Sequence, residues 1–130
     1  MVSLDGRVVA VTGAGRGMGA GIASVLAERG ASLVLVDIRA GSAEATAGRV
    51  GNAVGVTGDV CDDAVIAEVL ARAAERGGLD GWVNDAGIID MASALATTQE
   101  NFEAHLRVNL TAVFRCCQAA ARWWREAGRP

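Results

Sequence analysis

The residues best suited to chemistry sit where one kind of segment gives way to another. Thr12-Gly13-Ala14-Gly15-Arg16-Gly17-Met18-Gly19 follows an apolar, β-branched run directly and leads into a helical pattern. A phosphate-binding turn requires that context. The helix N-terminus offers unpaired N–H groups and the positive end of its dipole, and glycines keep side chains out of the anion's approach. A strict G-x-G-x-x-G is absent. The G/A form fits only as Gly15, Gly17 and Ala20, so Thr-Gly-x-x-x-Gly-x-Gly, met by Thr12, Gly13, Gly17 and Gly19, is the better description. Asp37 ends the next apolar run, where a carboxylate can accept from both hydroxyls of an adenine ribose. A glycine turn and a surface acid would look alike if met singly. Strand, loop, helix and Asp37 in register favour a cofactor loop. Asn109, inside a helical stretch that disfavours it, points to a specific hydrogen-bonding role.

The elements that must position these residues alternate. Residues 7–12, 32–37, 53–57 and 79–84 are short apolar runs that predict buried strands. Between them, helical spacing covers residues 18–29 (Ile22, Val25, Leu26), 42–49 with Ser42 as N-cap, and 62–76 (Val65, Ile66, Val69, Leu70). Gly30 and the Gly77-Gly78 pair are stop signals, as is Gly128-Arg129-Pro130 at the end. Residues 98–110 and 111–127 predict one long helix or two in tandem, with Phe102, Leu106, Leu110, Val113 and Phe114 on the inner stripe. Met18 is expected to pack against the loop and the next helix, and Trp123-Trp124 to serve packing or an interface. Strand–helix alternation implies right-handed βαβ units, a parallel sheet and helices on both faces. A complete doubly wound dinucleotide fold has about six strands, and only four are countable here.

Composition bounds the rest. The 130 residues make one domain, and 52% hydrophobic against 21% charged residues supports a buried core. A net charge of −3 argues against a nucleic-acid partner. The start carries no basic, then apolar, leader, and no uninterrupted apolar stretch is long enough to span a membrane, so a cytoplasmic location is expected. Cys61, Cys116 and Cys117 lack metal-ligand spacing and read as reduced thiols, with the adjacent pair pointing apart on a helix; no metal site is expected. His105, the only histidine, reads as a surface or partly buried structural residue. There is no Tyr, and all 12 basic residues are Arg.

The glycine loop, together with Asp59-Val60, Asn84-Asp85-Ala86-Gly87 and Val108-Asn109-Leu110 in that order, resembles the N-terminal half of a short-chain dehydrogenase/reductase along all 130 residues. The resemblance implies an incomplete Rossmann-type α/β fold, a doubly wound parallel sheet of about four strands in the order 3-2-1-4. It implies a cofactor site formed by Gly13, Arg16, Gly17, Met18, Gly19, Asp37, Ile38, Asp59, Val60, Asn84, Asp85, Ala86 and Gly87, with Asp59-Val60 at the adenine ring. Asn109 matches the Asn of the family's catalytic tetrad, which bends its helix and holds a water of the proton relay. The implied activity is hydride transfer between a nicotinamide dinucleotide and an alcohol or carbonyl substrate. Asp37 favours NAD over NADP, while Arg16 and Arg39 pull the other way because either could pair with a 2′-phosphate.

Two departures matter. Asp85 stands where the family has a second Asn, and a carboxylate cannot donate as an amide does. The family's catalytic Ser and Tyr-x-x-x-Lys would fall beyond Pro130, and the chain has neither Tyr nor Lys. It therefore reads as a truncated form, inactive alone and prone to self-association through the fourth strand's edge and the last helix. A non-catalytic dinucleotide-binding module and a degenerate remnant stay open as alternatives.

Overall fold

The computed structural model describes residues 2–129; Met1 and Pro130, the latter part of the stop signal above, lie outside the described residues. The strands are β1 (Val8–Thr12), β2 (Ser32–Asp37), β3 (Ala53–Thr57) and β4 (Gly81–Val83). They pair in parallel in the order β3-β2-β1-β4. This is the four-stranded 3-2-1-4 sheet that the resemblance implies. The fourth strand is shorter than the 79–84 run because only Gly81–Val83 find partners, on Val9–Val11 of β1.

Both faces of the sheet are apolar, so each strand feeds two cores. Val8, Ala10, Val34, Val36 and Val56 face α3 (Asp63–Glu75) and the C-terminal helix. Val9, Val11, Leu33 and Leu35 face α1 (Gly17–Glu28) and α2 (Ser42–Val50). The period-2 alternation of a strand thus sorts consecutive valines into different layers. Helix α1 stops where expected: Gly30 adopts φ +91°, and Ala31 N–H returns to Leu26 O. Ser42 is not the N-cap of α2; Gly41, at φ +74°, holds that position, and the Ser42 hydroxyl donates to Arg39 O. Val25, one of the residues read as helical spacing in α1, is 52% exposed.

The last helix is continuous but not uniform. It runs through α4 (Gln99–Leu106), a π-helical segment (Arg107–Ala112) and α5 (Val113–Glu126), with αR geometry at both joints. Thr98 caps it by accepting from Asn101 N–H at 3.1 Å. The inner stripe differs from the sequence reading. Val108, Ala112, Cys116, Ala119, Ala120, Trp123 and Trp124 pack on the core, whereas Phe102, Leu106, Leu110 and Phe114 are 41–62% exposed. Small residues at Ala112, Cys116 and Ala120 let the helix backbone approach α3 and β4 closely, and that contact outweighs the larger side chains' preference for burial. Trp124 Nε1 donates to Leu79 O at 2.9 Å, which fixes the helix end against the start of β4.

Candidate functional site

The order β3-β2-β1-β4 reverses direction between β1 and β4, and in such sheets the crevice beyond the strands' carboxyl ends is the natural ligand site. A cavity of about 600 Å³ lies there. Its lining brings together Gly13, Arg16, Gly17, Met18, Asp37, Ile38, Asp59, Val60, Asp85, Ala86 and Gly87 of the residues named from sequence. Gly19, Asn84 and Asn109 are outside the lining. Val108, quoted in the Val108-Asn109-Leu110 motif, also lines it, as do Val36, Gly58, Ile88, Ala104 and Arg107, which the sequence reading did not single out. These residues share no motif; the turn of the last helix above the crevice brings several of them in.

The loops after β1 and β4 touch, which explains two of the glycines. Gly13 takes φ +68°, and a Cβ there would lie 2.9 Å from the Ala86 backbone. Gly19 is buried in the first turn of α1, and its Cβ would come within 2.7 Å of Asp85 Oδ2. The buried Thr12 hydroxyl bolts the two loops together by accepting from Asp85 N–H (3.2 Å) and Ala86 N–H (3.1 Å). At the loop's far side, Ala20 N–H donates to Arg16 O, so Gly17, Met18 and Gly19 supply the free amides of the first helical turn. Gly17 presents only open space around a would-be Cβ. Met18 does not pack into the loop as expected; it is 73% exposed, because the first turn of α1 points its side chain away from both cores.

Asp37 is 7% exposed, and its carboxylate accepts from Gly15 N–H (2.9 Å), Arg39 N–H (3.0 Å) and Arg39 Nε (3.3 Å). Burial pushes its pKa up, but the bonds from Arg39 and Gly15 prevail and hold it below the ordinary carboxylate value. Asp59 behaves alike: burial raises its pKa, and Cys61 N–H at 2.9 Å and the Arg107 guanidinium at 3.2 Å more than reverse that. Arg107 stands in the π-helical segment, so its ion pair ties that segment to the β3–α3 loop. The cavity's acids are thus Asp37, paired with Arg39; Asp59, paired with Arg107; and Asp85, which has neither an ion pair nor a side-chain hydrogen bond among the described residues.

Asn109 holds the long loop after β4. Its Nδ2 donates to Ile88 O and its Oδ1 accepts from Ile88 N–H, both at 2.8 Å. Below it, His105 Nε2 accepts from Asp90 N–H at 3.0 Å, so Nδ1 carries the proton that reaches Asn101 O at 2.8 Å. His105 is structural in this arrangement. Asn84 turns the other way: its Oδ1 accepts from Trp82 Nε1, and its Nδ2 reaches Cys117 Sγ on α5. Cys116 is buried and Cys117 exposed, so the adjacent thiols do point apart. Burial pushes both Cys61 and Cys116 up to about 11, leaving them protonated and inert.

A profile described as short chain dehydrogenase matches residues 7–129. D-threitol dehydrogenase of Mycolicibacterium smegmatis is 42% identical over 130 residues, covering 96% of this chain and 50% of that protein. Sorbitol dehydrogenase of Cereibacter sphaeroides is 33% identical, with 97% and 50% covered. The crystal structure of a short-chain type dehydrogenase/reductase from Mycobacterium marinum superposes with a TM-score of 0.92 at 30% identity, covering 98% of this chain and 53% of that one. The chain spans about half the length of the curated relatives it matches. On these matches and the 3-2-1-4 parallel sheet, the chain belongs to the short-chain dehydrogenase/reductase family.

Proposed function

We propose that this chain is the dinucleotide-binding part of an oxidoreductase that passes hydride between NAD(H) and an alcohol or carbonyl substrate. The observation that carries the reading is the meeting, in one cavity, of the free α1 amides with the Asp37 and Asp59 carboxylates. The donor set fits the group: backbone N–H donors suit a pyrophosphate, an acceptor at the end of β2 suits ribose hydroxyls, and Asp59 suits an exocyclic amine. When bound, the nicotinamide supplies the hydride donor or acceptor. The chain's own residues do the holding. Gly17 leaves the approach to the α1 amides clear, Gly13 and Gly19 let the loops after β1 and β4 meet, Arg16, Met18, Ile38 and Val60 wall the cavity, and Asp85-Ala86-Gly87 close it on the β4 side. Asn84, outside the lining, anchors β4's end to α5.

Asp37 supports NAD over NADP, since its charge opposes a 2′-phosphate. Arg39 is already engaged with Asp37, which leaves Arg16 as the cation on the NADP side. Titration of both cofactors by calorimetry tests this. NAD should bind more tightly, and Asp37→Ala should weaken it by about 1–3 kcal/mol; equal affinities for NAD and NADP would remove the preference. Two of the relatives are named for polyols, which supports an alcohol as substrate.

The chain alone should not turn over. Positioned acid–base groups contribute roughly 10²- to 10⁴-fold each, and the family's proton donor is a Tyr that this chain lacks. The Asn109 amide does not titrate near neutral pH; its part is to hold Ile88 at the cavity wall. An absorbance assay of nicotinamide reduction with a panel of alcohols and ketones, on rigorously repurified chain, decides the point. Turnover lost in Asn109→Ala would overturn inactivity.

A further inference from the structure

Asp85 is the one acid lining the cavity that faces no guanidinium among the described residues. Asp37 and Asp59 each face a guanidinium and backbone donors. Asp85 has no ion pair and no side-chain hydrogen bond among the described residues, although it is only half-buried and lies beside the glycine loop. Its backbone is fixed, and its side chain lies close to Gly19. Its N–H and that of Ala86 are bolted to the buried Thr12 hydroxyl. Its Oδ2 comes so close to Gly19 that a Cβ there would lie 2.7 Å away. The carboxylate therefore lies against Gly19 in the first turn of α1, the turn that carries the free amides of Gly17, Met18 and Gly19. In the free chain a negative charge is favourable there. An incoming phosphate seeks the same place for the same reason, and the two charges repel.

We infer that Asp85 sets the cofactor affinity: its carboxylate occupies the anion-favouring end of α1 and opposes the pyrophosphate of a bound dinucleotide. The inference rests on the cofactor reading proposed above. Asparagine at this position would keep the size and the backbone bonds to Thr12 while removing the charge. A unit charge next to a doubly charged group, across a solvent-exposed cavity of intermediate dielectric, corresponds to roughly a five- to fiftyfold change in binding. The effect must require phosphate, and salt must screen it.

The test compares the native chain, Asp85→Asn and Asp85→Ser by calorimetry with NAD, ADP-ribose and adenosine, at low and at high salt. Both variants should bind NAD and ADP-ribose roughly five- to fiftyfold more tightly at low salt. The gain should shrink at high salt and be absent for adenosine, which carries no phosphate. A purely structural role for Asp85 would move all three ligands together and ignore salt. Equal affinity of native and variant chains for NAD overturns the inference and leaves the cofactor site standing, as does an equal gain for adenosine. If neither the native chain nor either folded variant binds NAD or ADP-ribose, the cofactor reading fails and the inference fails with it.

Discussion

Replacing Asp80 should destabilise the whole sheet although the residue touches no ligand. Its carboxylate stands just before β4 and accepts from Val8 N–H (2.8 Å), Arg7 (3.1 Å) and Arg129 (2.8 Å). It thereby ties the start of β1, the start of β4 and the end of α5 at one point. Asp80 is 15% exposed and Val8 1%. In Asp80→Ala, the Val8 N–H is left buried with no acceptor, which costs about 1–3 kcal/mol. Arg7 is 64% exposed and adds little. Arg129, 36% exposed, adds at most about 1 kcal/mol. The total is about 1–4 kcal/mol, or a fall in melting temperature of roughly 3–15 °C for a chain of this size. Asp80→Asn keeps an acceptor for Val8 and loses only charge, so it should cost less than half as much. Urea and thermal unfolding followed by circular dichroism measure both. If the Asn variant is as unstable as the Ala variant, the charge and not the backbone acceptor is what matters, and the reasoning is refuted.

Other outcomes follow from the same geometry. Asn109→Ala removes two bonds to Ile88, and the Ile88 amide should exchange with solvent roughly 5- to 30-fold faster by hydrogen-exchange mass spectrometry or NMR, while the strands of the sheet keep their protection. Asp37, Asp59 and Asp80 all have folded-state pKa values below their ordinary 3.8; the stability they contribute is present above that value and lost as pH falls through the folded values, so the melting temperature should hold between about pH 5 and 7 and drop below about pH 4. Alkylation of the native chain near pH 8 should label exposed Cys117 first and spare Cys61 and Cys116 until urea is added. Phe102, Leu106, Leu110 and Phe114 fall on one face of the last helix, and β4 pairs on one side only; the chain should therefore self-associate at micromolar concentration, with Leu110→Glu plus Phe114→Glu shifting it toward monomer, and a native chain that sediments as a clean monomer would contradict this.

Local residue chemistry determined much of this protein before any coordinates. Apolar β-branched runs bounded by glycine placed β1 to β3, because strands buried on both faces have no alternative composition. Glycines at positive φ marked the ends of α1 and α3, since other residues are strained there. The loop at 12–19 and the acid at 37 were legible as a motif because a strand, a glycine turn, a helix and a strand-end acid recur at fixed offsets, whereas Asp59 was legible only through the family resemblance. Only the tertiary structure decided what depends on partners distant in sequence. Which face of the last helix is buried was settled by small residues fitting against α3 and β4, against the inner stripe read from sequence, which put Phe102 and Phe114 inside. The Arg107–Asp59 pair, the Asn109–Ile88 clamp and Asp85's place beside Gly19 join segments far apart in the chain. Spacing rules describe what one segment does with its neighbours. The charge balance of a crevice is set by how the sheet order brings its walls together, and that is a property of the packed molecule.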